Sequence, residues 1–281
     1  MAVALLLAIP AWHQWQRQRQ QGSLVSFIEV GHGNATVLEM PGNRVILVDG
    51  GGPSTLRTDI GQQLLAPFLR QRRIRRLEAV VISHPHADHY NGLAFILRHF
   101  QPRTLWINGH AGNGAEYRQL LAQAEELGIE IRVPVAGEVL AAGNGFSLRS
   151  LADFHRQQPA ALDPNDQSLV LGYQHKDKNF LLPGDISMER EMELVNRLGE
   201  ESAHQVLAAS HHGRATSMAP EFVAAVEPRY IIISDNDRQI DSRRVANWQN
   251  TGARVLSTGE RGSLACTVEE QRLDCRPLVK P

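Results

Sequence analysis

Nowhere in the 281 residues do apolar side chains run long enough to cross a bilayer, which takes about 20 of them in succession. The opening MAVALLLAIPAW falls short of that, lacks the basic start of a secretory signal, and gives way to Gln and Arg. For residues 1–22 three readings stay open: a membrane anchor, an atypical signal, or the end of a longer membrane span. Charge of one sign is also missing. With 29 Lys and Arg against 30 Asp and Glu the formal net charge is −1, which is not the basic balance common in nucleic-acid binders, so a polyanion must be met locally. Internal repeats and low-complexity tracts are absent, and 42% hydrophobic with 21% charged residues suits one sizeable core. Residues 23–281 therefore read as one domain.

Cysteine is nearly absent. Only Cys266 and Cys275 occur, in GSLACTVEEQRLDCRPL. If Glu269 to Arg272 form a four-residue loop between two short strands, Val268 faces Leu273 and Cys266 faces Cys275. A disulfide then fits the geometry, with two unpaired core thiols as the other reading; a bridge points to an oxidising compartment. The membrane side is argued both ways, since Arg17 and Arg19 behind the apolar run favour the cytoplasm and a bridge favours export. The expectation is a membrane-associated chain with its domain outside the cytoplasm.

Histidine is what the chain has: twelve, and not scattered. In VVISHPHADHYNGL, a run of β-branched residues ends in three histidines and an aspartate within six positions. His84 and His86, two apart, present imidazoles to one side of a loop leaving a strand; Asp88 and His89 follow on the turn into a helix. Two neighbouring metal ions fit, one on the alternating pair and one on the adjacent carboxylate and imidazole. Packing does not explain four ligand-type side chains at a strand end, and mixed N and O donors suit zinc, manganese or iron(II) rather than calcium.

Further ligands stand at other strand ends. VILVDGG finishes on Asp49, FLLPGD on Asp185, and VLAASHHG on His211 and His212, each beside glycine. Taken singly Asp185 reads as a helix N-cap before ISMERE; capping does not explain the histidines.

Around these motifs, strands are expected at LVSFIEVG, NATVLEM and NRVILVDGGG as an antiparallel meander, then at EAVVIS and RTLWIN, with helices over 59–71 and GLAFILRHF. Residues 114–127 form an amphipathic helix with Tyr117, Leu120, Leu121, Ala124 and Leu127 on one face. Strands follow at 129–133, 146–151, 168–173 and 179–183, after which helices and strands alternate. Meandering strands followed by alternating units suggest two packed sheets with helices outside. Residues 152–167 are the longest aperiodic stretch, and long loops in compact domains are often functional.

SHPHADHYNG resembles the H-x-H-x-D-H signature of the metallo-β-lactamase superfamily. VSFIEVGHGNATVLEMPGNRVILVDGGG, LLAPFLRQRRIRRLEAVVISHPHADHYNGL, NDQSLVLGYQHKDKNFLLPGDI, SHHGRATSMAPEFVAAVEPRYIIIS and GARVLSTGERGSL resemble, in order, the metallo-β-lactamase-like domain of ComEC-type competence proteins. The resemblance covers about Leu24 to Thr267. It implies an αββα sandwich and two divalent ions, zinc or manganese, with His84 and His86 on the first. Asp88, His89 and His212 would hold the second, Asp185 bridging, Asp49 orienting the cluster and His211 contacting substrate, though the order of the two adjacent histidines stays open. The family's third histidine for the first ion is replaced by Asn165 and Asp166, with His155 upstream as the alternative ligand, so that ion has fewer donors. A histidine and proline usual before the last helix are missing from DNDRQIDSRRV.

Two ions a few ångströms apart lower the pKa of water and clamp phosphoryl oxygens. Asp49, Asp88 and His211 are the catalytic candidates, and the expected reaction is phosphodiester hydrolysis, on DNA during uptake by resemblance. Arg214, Thr216 and Ser217 would hold phosphate oxygens unless they only begin the next helix. Arg70, Arg72, Arg73, Arg75 and Arg76 are either a second phosphate patch or a solvated helix end. Partners implied by the family are a membrane channel or other competence machinery. The rival readings are a hydrolase of another ester on the same fold, whether phosphocholine ester, lactone or thioester, and a non-catalytic domain of a DNA-translocation machine.

Overall fold

The apolar runs VILV, AVVI and YIII are buried on both faces, and that double burial sets the architecture. A computed structural model describes residues 21–53, 59–110, 112, 114–154, 163–235 and 240–278; residues 1–20, with the expected anchor, and His155 lie outside them. Fifteen strands form two sheets among the described residues. The first runs β15-β14-β1-β2-β3-β4-β5-β6, with β1 (Ser23–Phe27), β2 (Thr36–Met40), β3 (Arg44–Val48), β4 (Ala79–Val81), β5 (Thr104–Trp106), β6 (Glu130–Arg132), β14 (Leu264–Glu269) and β15 (Arg272–Pro277). The second runs β13-β12-β11-β10-β9-β8-β7, with β7 (Val139–Gly143), β8 (Phe146–Ala152), β9 (Val170–His175), β10 (Lys178–Leu182), β11 (Val206–Ala208), β12 (Tyr230–Ile233) and β13 (Arg254–Ser257).

Alternation along each strand divides the side chains between two cores. Phe27, Leu38, Ile46 and Val81 meet Leu148, Tyr173, Phe180 and Ile232 between the sheets. Their neighbours Val37, Leu47 and Val80 face outward under helices α1 (Ala66–Gln71), α2 (Ala87–Tyr90), α3 (Leu93–Phe100) and α4 (Ala115–Glu126). On the far side, Leu181, Leu207 and Ile231 face α5 (Met188–Leu198), α6 (Pro220–Val226) and α7 (Ser242–Asn250). The result is the expected four-layer αββα sandwich, each such buried side chain contributing about 1.5–3 kcal/mol.

The helix expected over 59–71 begins with a wider turn, Gly61–Leu65, just before Pro67, whose missing N–H leaves a gap in the helical ladder. On α4, Tyr117, Leu120 and Ala124 are buried, whereas Leu127 is 39% exposed because the helix ends at Glu126. Strand β7 lies outside the sequence expectation, since VLAAG has no apolar–polar alternation and is largely exposed.

The carboxyl hairpin has a two-residue turn, Glu269 pairing Arg272, rather than the expected four-residue loop. Register is the same either way. Val268 pairs Leu273, and Cys266 pairs Cys275 and is bridged to it. A link across a sequence separation of 9 confines only a short loop in the unfolded chain, so reduction is expected to lower stability by about 2 kcal/mol. Denaturant unfolding with and without reductant measures this.

Strands β3, β4, β5 and β6 are mutually parallel, as are β10, β11, β12 and β13. Within each set the carboxyl ends share one edge, the usual place for a site in α/β sheets. Asp49, His84 and Asn108 leave the first set there, and Asp185, His211 and Asp235 the second.

Candidate metal centre

After β4, Ser83 and His84 are buried, His86 is extended, and α2 turns Asp88 and His89 inward. Asp49 has left-handed backbone, φ 57°, which swings its carboxylate off β3 toward that loop. It accepts from Ser83 N at 2.8 Å, from Ser83 Oγ at 3.0 Å and from His89 Nδ1 at 2.8 Å. These bonds occupy Asp49 and leave His89 Nε2 facing the centre. Gly51 lets the backbone close in, because a Cβ there would lie 2.3 Å from the Asp88 carbonyl carbon.

Asp185 is the hub. The helix after it is capped at Ser187, not Asp185. Its Oδ2 lies 3.2 Å from His89 Nε2, 3.6 Å from His212 Nε2 and 4.0 Å from both His84 Nε2 and His211 Nε2. Asp88 Oδ2 is 3.5 Å from His212 Nε2. One ligand atom from each of Asp88, His89, Asp185 and His212 falls within 4.8 Å of all the others. His212 donates from Nδ1 to the Ser234 carbonyl at 2.7 Å, which turns its Nε2 inward. His89 Nε2, His212 Nε2 and Asp185 Oδ1 are buried without a hydrogen-bond partner. Buried polar atoms aimed at one point and left unbonded fit a divalent cation.

Charge agrees. Burial works against protons on His89 and His212, but Asp185, with Asp49 for the first and Asp88 for the second, outweighs it and raises both above the ordinary imidazole range. Burial likewise opposes ionisation of Asp185 and Asp88, and the surrounding imidazoles overcome it, holding both carboxyls below their usual range. The carboxylates thus favour positive charge at this point, which a metal ion supplies in place of protons.

His84 and His86 converge separately, Nε2 to Nδ1 at 3.0 Å. Burial, with the neighbouring His89, holds His84 well below the ordinary imidazole range. Ser168 Oγ lies 3.3 Å from His84 Nδ1 and donates to the Asn165 carbonyl at 2.7 Å, which links the Asn165 backbone to His84. The Asn165 Oδ1 atom is buried and has no hydrogen-bond partner. Asp166 turns away, its Oδ1 accepting from Ser187 N at 2.8 Å.

Of the two adjacent histidines, His212 is 1% exposed and inside the group of four. His211 is on the solvent side, its Nδ1 3.3 Å from Thr216 Oγ1, and burial lowers its pKa. Arg214 and Thr216 are exposed at the rim. Ser217 differs from expectation: it is buried, and its hydroxyl is taken up by the carbonyls of Ser210, 2.7 Å, and Arg214, 3.1 Å. The arginine run lies at the opposite end of β4 from the histidines. Arg72 pairs with Glu39 there and Arg70 lies over Phe95 and Phe100, which places the run on a different face from the metal centre.

Three residues here escaped the sequence reading. His32, in VGHGN, and Asp235, in IIISD, follow the strand-end pattern of Asp49 and Asp185, which was a usable signal. Glu191 gave none, since a glutamate inside MEREMEL reads as solvated. It is fully buried and accepts from Met218 N at 2.7 Å and Ala219 N at 2.8 Å, bracing the loop that carries His212. Burial raises its pKa against the pull of those bonds. Glu191→Ala leaves two buried N–H groups unsatisfied and is expected to cost about 2–4 kcal/mol in unfolding free energy, read by denaturant titration.

A two-sheet sandwich with a His/Asp cluster at the carboxyl edge defines a class, and the chain belongs to the metallo-beta-lactamase superfamily, whose family model matches residues 28–234. Among curated proteins, ComE operon protein 3 of Bacillus subtilis (strain 168) is 28% identical over 258 residues, covering 85% of this chain and 32% of that protein. Competence protein ComA of Neisseria gonorrhoeae is 27% identical over 266 residues, 92% of this chain and 34% of the relative. The chain therefore spans about a third of the length of these relatives. Among solved structures, CmlA, a diiron beta-hydroxylase from Streptomyces venezuelae, shares the fold with a TM-score of 0.53 at 14% identity, over 83% of this chain and 52% of that one.

Proposed function

We propose that this chain is a metal-dependent phosphodiesterase that degrades DNA during uptake. The carrying observation is the convergence of Asp88, His89, Asp185 and His212, with buried, unbonded nitrogen and oxygen atoms facing one point. Those four residues would hold one divalent ion, zinc or manganese, and His84, His86 and Asn165 would hold a second. When bound, such ions polarise a phosphoryl oxygen and activate water.

The chain's own groups divide the rest of the work. Asp49 keeps His89 in one tautomer, and Ser234 O does the same for His212. His211, with Nε2 4.0 Å from Asp185 and its ring partly exposed, is the group placed to meet a substrate oxygen. Thr216 orients it, and Arg214 supplies a positive charge at the rim. Asp49, fully engaged, acts through His89 rather than on substrate. DNA as the substrate is supported by the competence proteins among the relatives.

Among the described residues no helix is long and apolar enough to cross a membrane. Association would come through residues 1–22 or a membrane channel partner, and the Cys266–Cys275 bridge supports a domain outside the cytoplasm.

The test is incubation of purified protein with labelled single- and double-stranded DNA and manganese or zinc. Chelator-sensitive cleavage is expected. Full metal occupancy with no cleavage counts against a nuclease; hydrolysis of bis(4-nitrophenyl) phosphate alone would point to another ester, and failure to take up metal to a scaffold.

A further inference from the structure

His32, Asp235 and Arg214 come from three separate segments and meet beside the metal centre. His32 Nδ1 lies 3.1 Å from Asp235 Oδ1, whose side chain is 5% exposed. Arg214 Nη2 lies 3.1 Å from His32 Nε2. A guanidinium only donates, so His32 Nε2 presents its lone pair, and the single ring proton of a neutral imidazole is on Nδ1, donated to Asp235. Every bond in the chain Arg214 to His32 to Asp235 is thereby directed.

The His32 ring packs on His212, centroids 4.7 Å apart, and its Nε2 is 3.6 Å from Asp88 Oδ2. The end of β12 serves both residues: Ser234 O accepts a hydrogen bond from His212 Nδ1, and Asp235 Oδ1 accepts one from His32 Nδ1. One backbone segment therefore sets a centre residue and the relay in a fixed relation.

From this geometry we infer that His32 and Asp235 are positioning residues that aim the Arg214 guanidinium over the metal centre, as a clamp for an oxygen of a bound phosphoryl group. The inference rests on the phosphodiester reading above for its substrate class. An exposed arginine loses side-chain freedom when it binds; one already held by its neighbour loses less, and its planar fork matches phosphate oxygens.

The test uses manganese-loaded full chain, with inorganic phosphate binding measured by calorimetry and bis(4-nitrophenyl) phosphate hydrolysis resolved into kcat and KM. Arg214→Ala and His32→Ala are each expected to weaken phosphate binding about tenfold, with manganese content unchanged. The double variant should be no weaker than Arg214→Ala, because His32 acts through that residue. His32→Gln, whose amide can accept from Arg214 and donate to Asp235, should restore most of the affinity and of KM.

Additive losses in the double variant, manganese lost from His32→Ala, or wild-type phosphate affinity in both single variants would overturn the relay. If wild-type protein hydrolyses no phosphodiester while the expected order of phosphate affinities holds, the relay stands and the phosphodiesterase reading fails. If it hydrolyses one and His32→Ala and Arg214→Ala both keep the wild-type KM, the relay fails alone.

Discussion

Asp185→Asn is expected to strip the metal centre and to reduce hydrolysis by more than about 100-fold, the upper end of what loss of an outer hydrogen-bond partner of a ligand costs. One carboxylate oxygen stands within 4.0 Å of four imidazole nitrogens, from His84, His89, His211 and His212. An asparagine of the same shape removes the negative charge that keeps His89 and His212 above their ordinary pKa, and brings an amide that is a poor ligand. Elemental analysis after desalting reads the loss of metal, and thermal unfolding checks that the fold survives. Full metal content in this variant would mean that the cluster is not the binding site.

The second large effect is a gain. His84 and His86 converge at 3.0 Å, yet this half of the site has only two imidazoles and a share of Asp185, while Asn165, linked to His84 through Ser168, has an amide oxygen buried without a partner. A neutral amide is a weaker donor to zinc than an imidazole, and zinc sites commonly take three or four strong protein ligands. Wild-type protein is therefore expected to retain about one zinc ion per chain after desalting, and Asn165→His about two. Zinc titration followed by elemental analysis distinguishes these results. An unchanged count would show that position 165 does not complete the His84/His86 half.

Much of this is legible in the sequence. Runs such as VILVDGG and AVVISHPH announce doubly buried strands because no other element hides every second side chain on each face. The Cys266–Cys275 pairing followed from counting inward from the turn, and it survived a wrong loop length because both loops preserve the same facing pairs. Where side chains were sparse or small the reading failed: β7 is nearly all alanine, leucine and valine in the open, and Leu127 kept the helical spacing but lies past the helix end. The arginine run had the right chemistry for phosphate in the wrong place, since a strand's length separates it from the histidines.

The linear order of residues settled the fold class and which segments carry ligand chemistry, because burial periodicity and clustered imidazoles are local properties. Folding alone brought Asp185 into reach of four histidines, seated His212 inside and His211 at the rim, and joined His32, Asp235 and Arg214. Each of those depends on where parallel strands from two sheets end relative to one another. That relation is fixed by packing across the sandwich and leaves no trace in the spacing of neighbours along the chain.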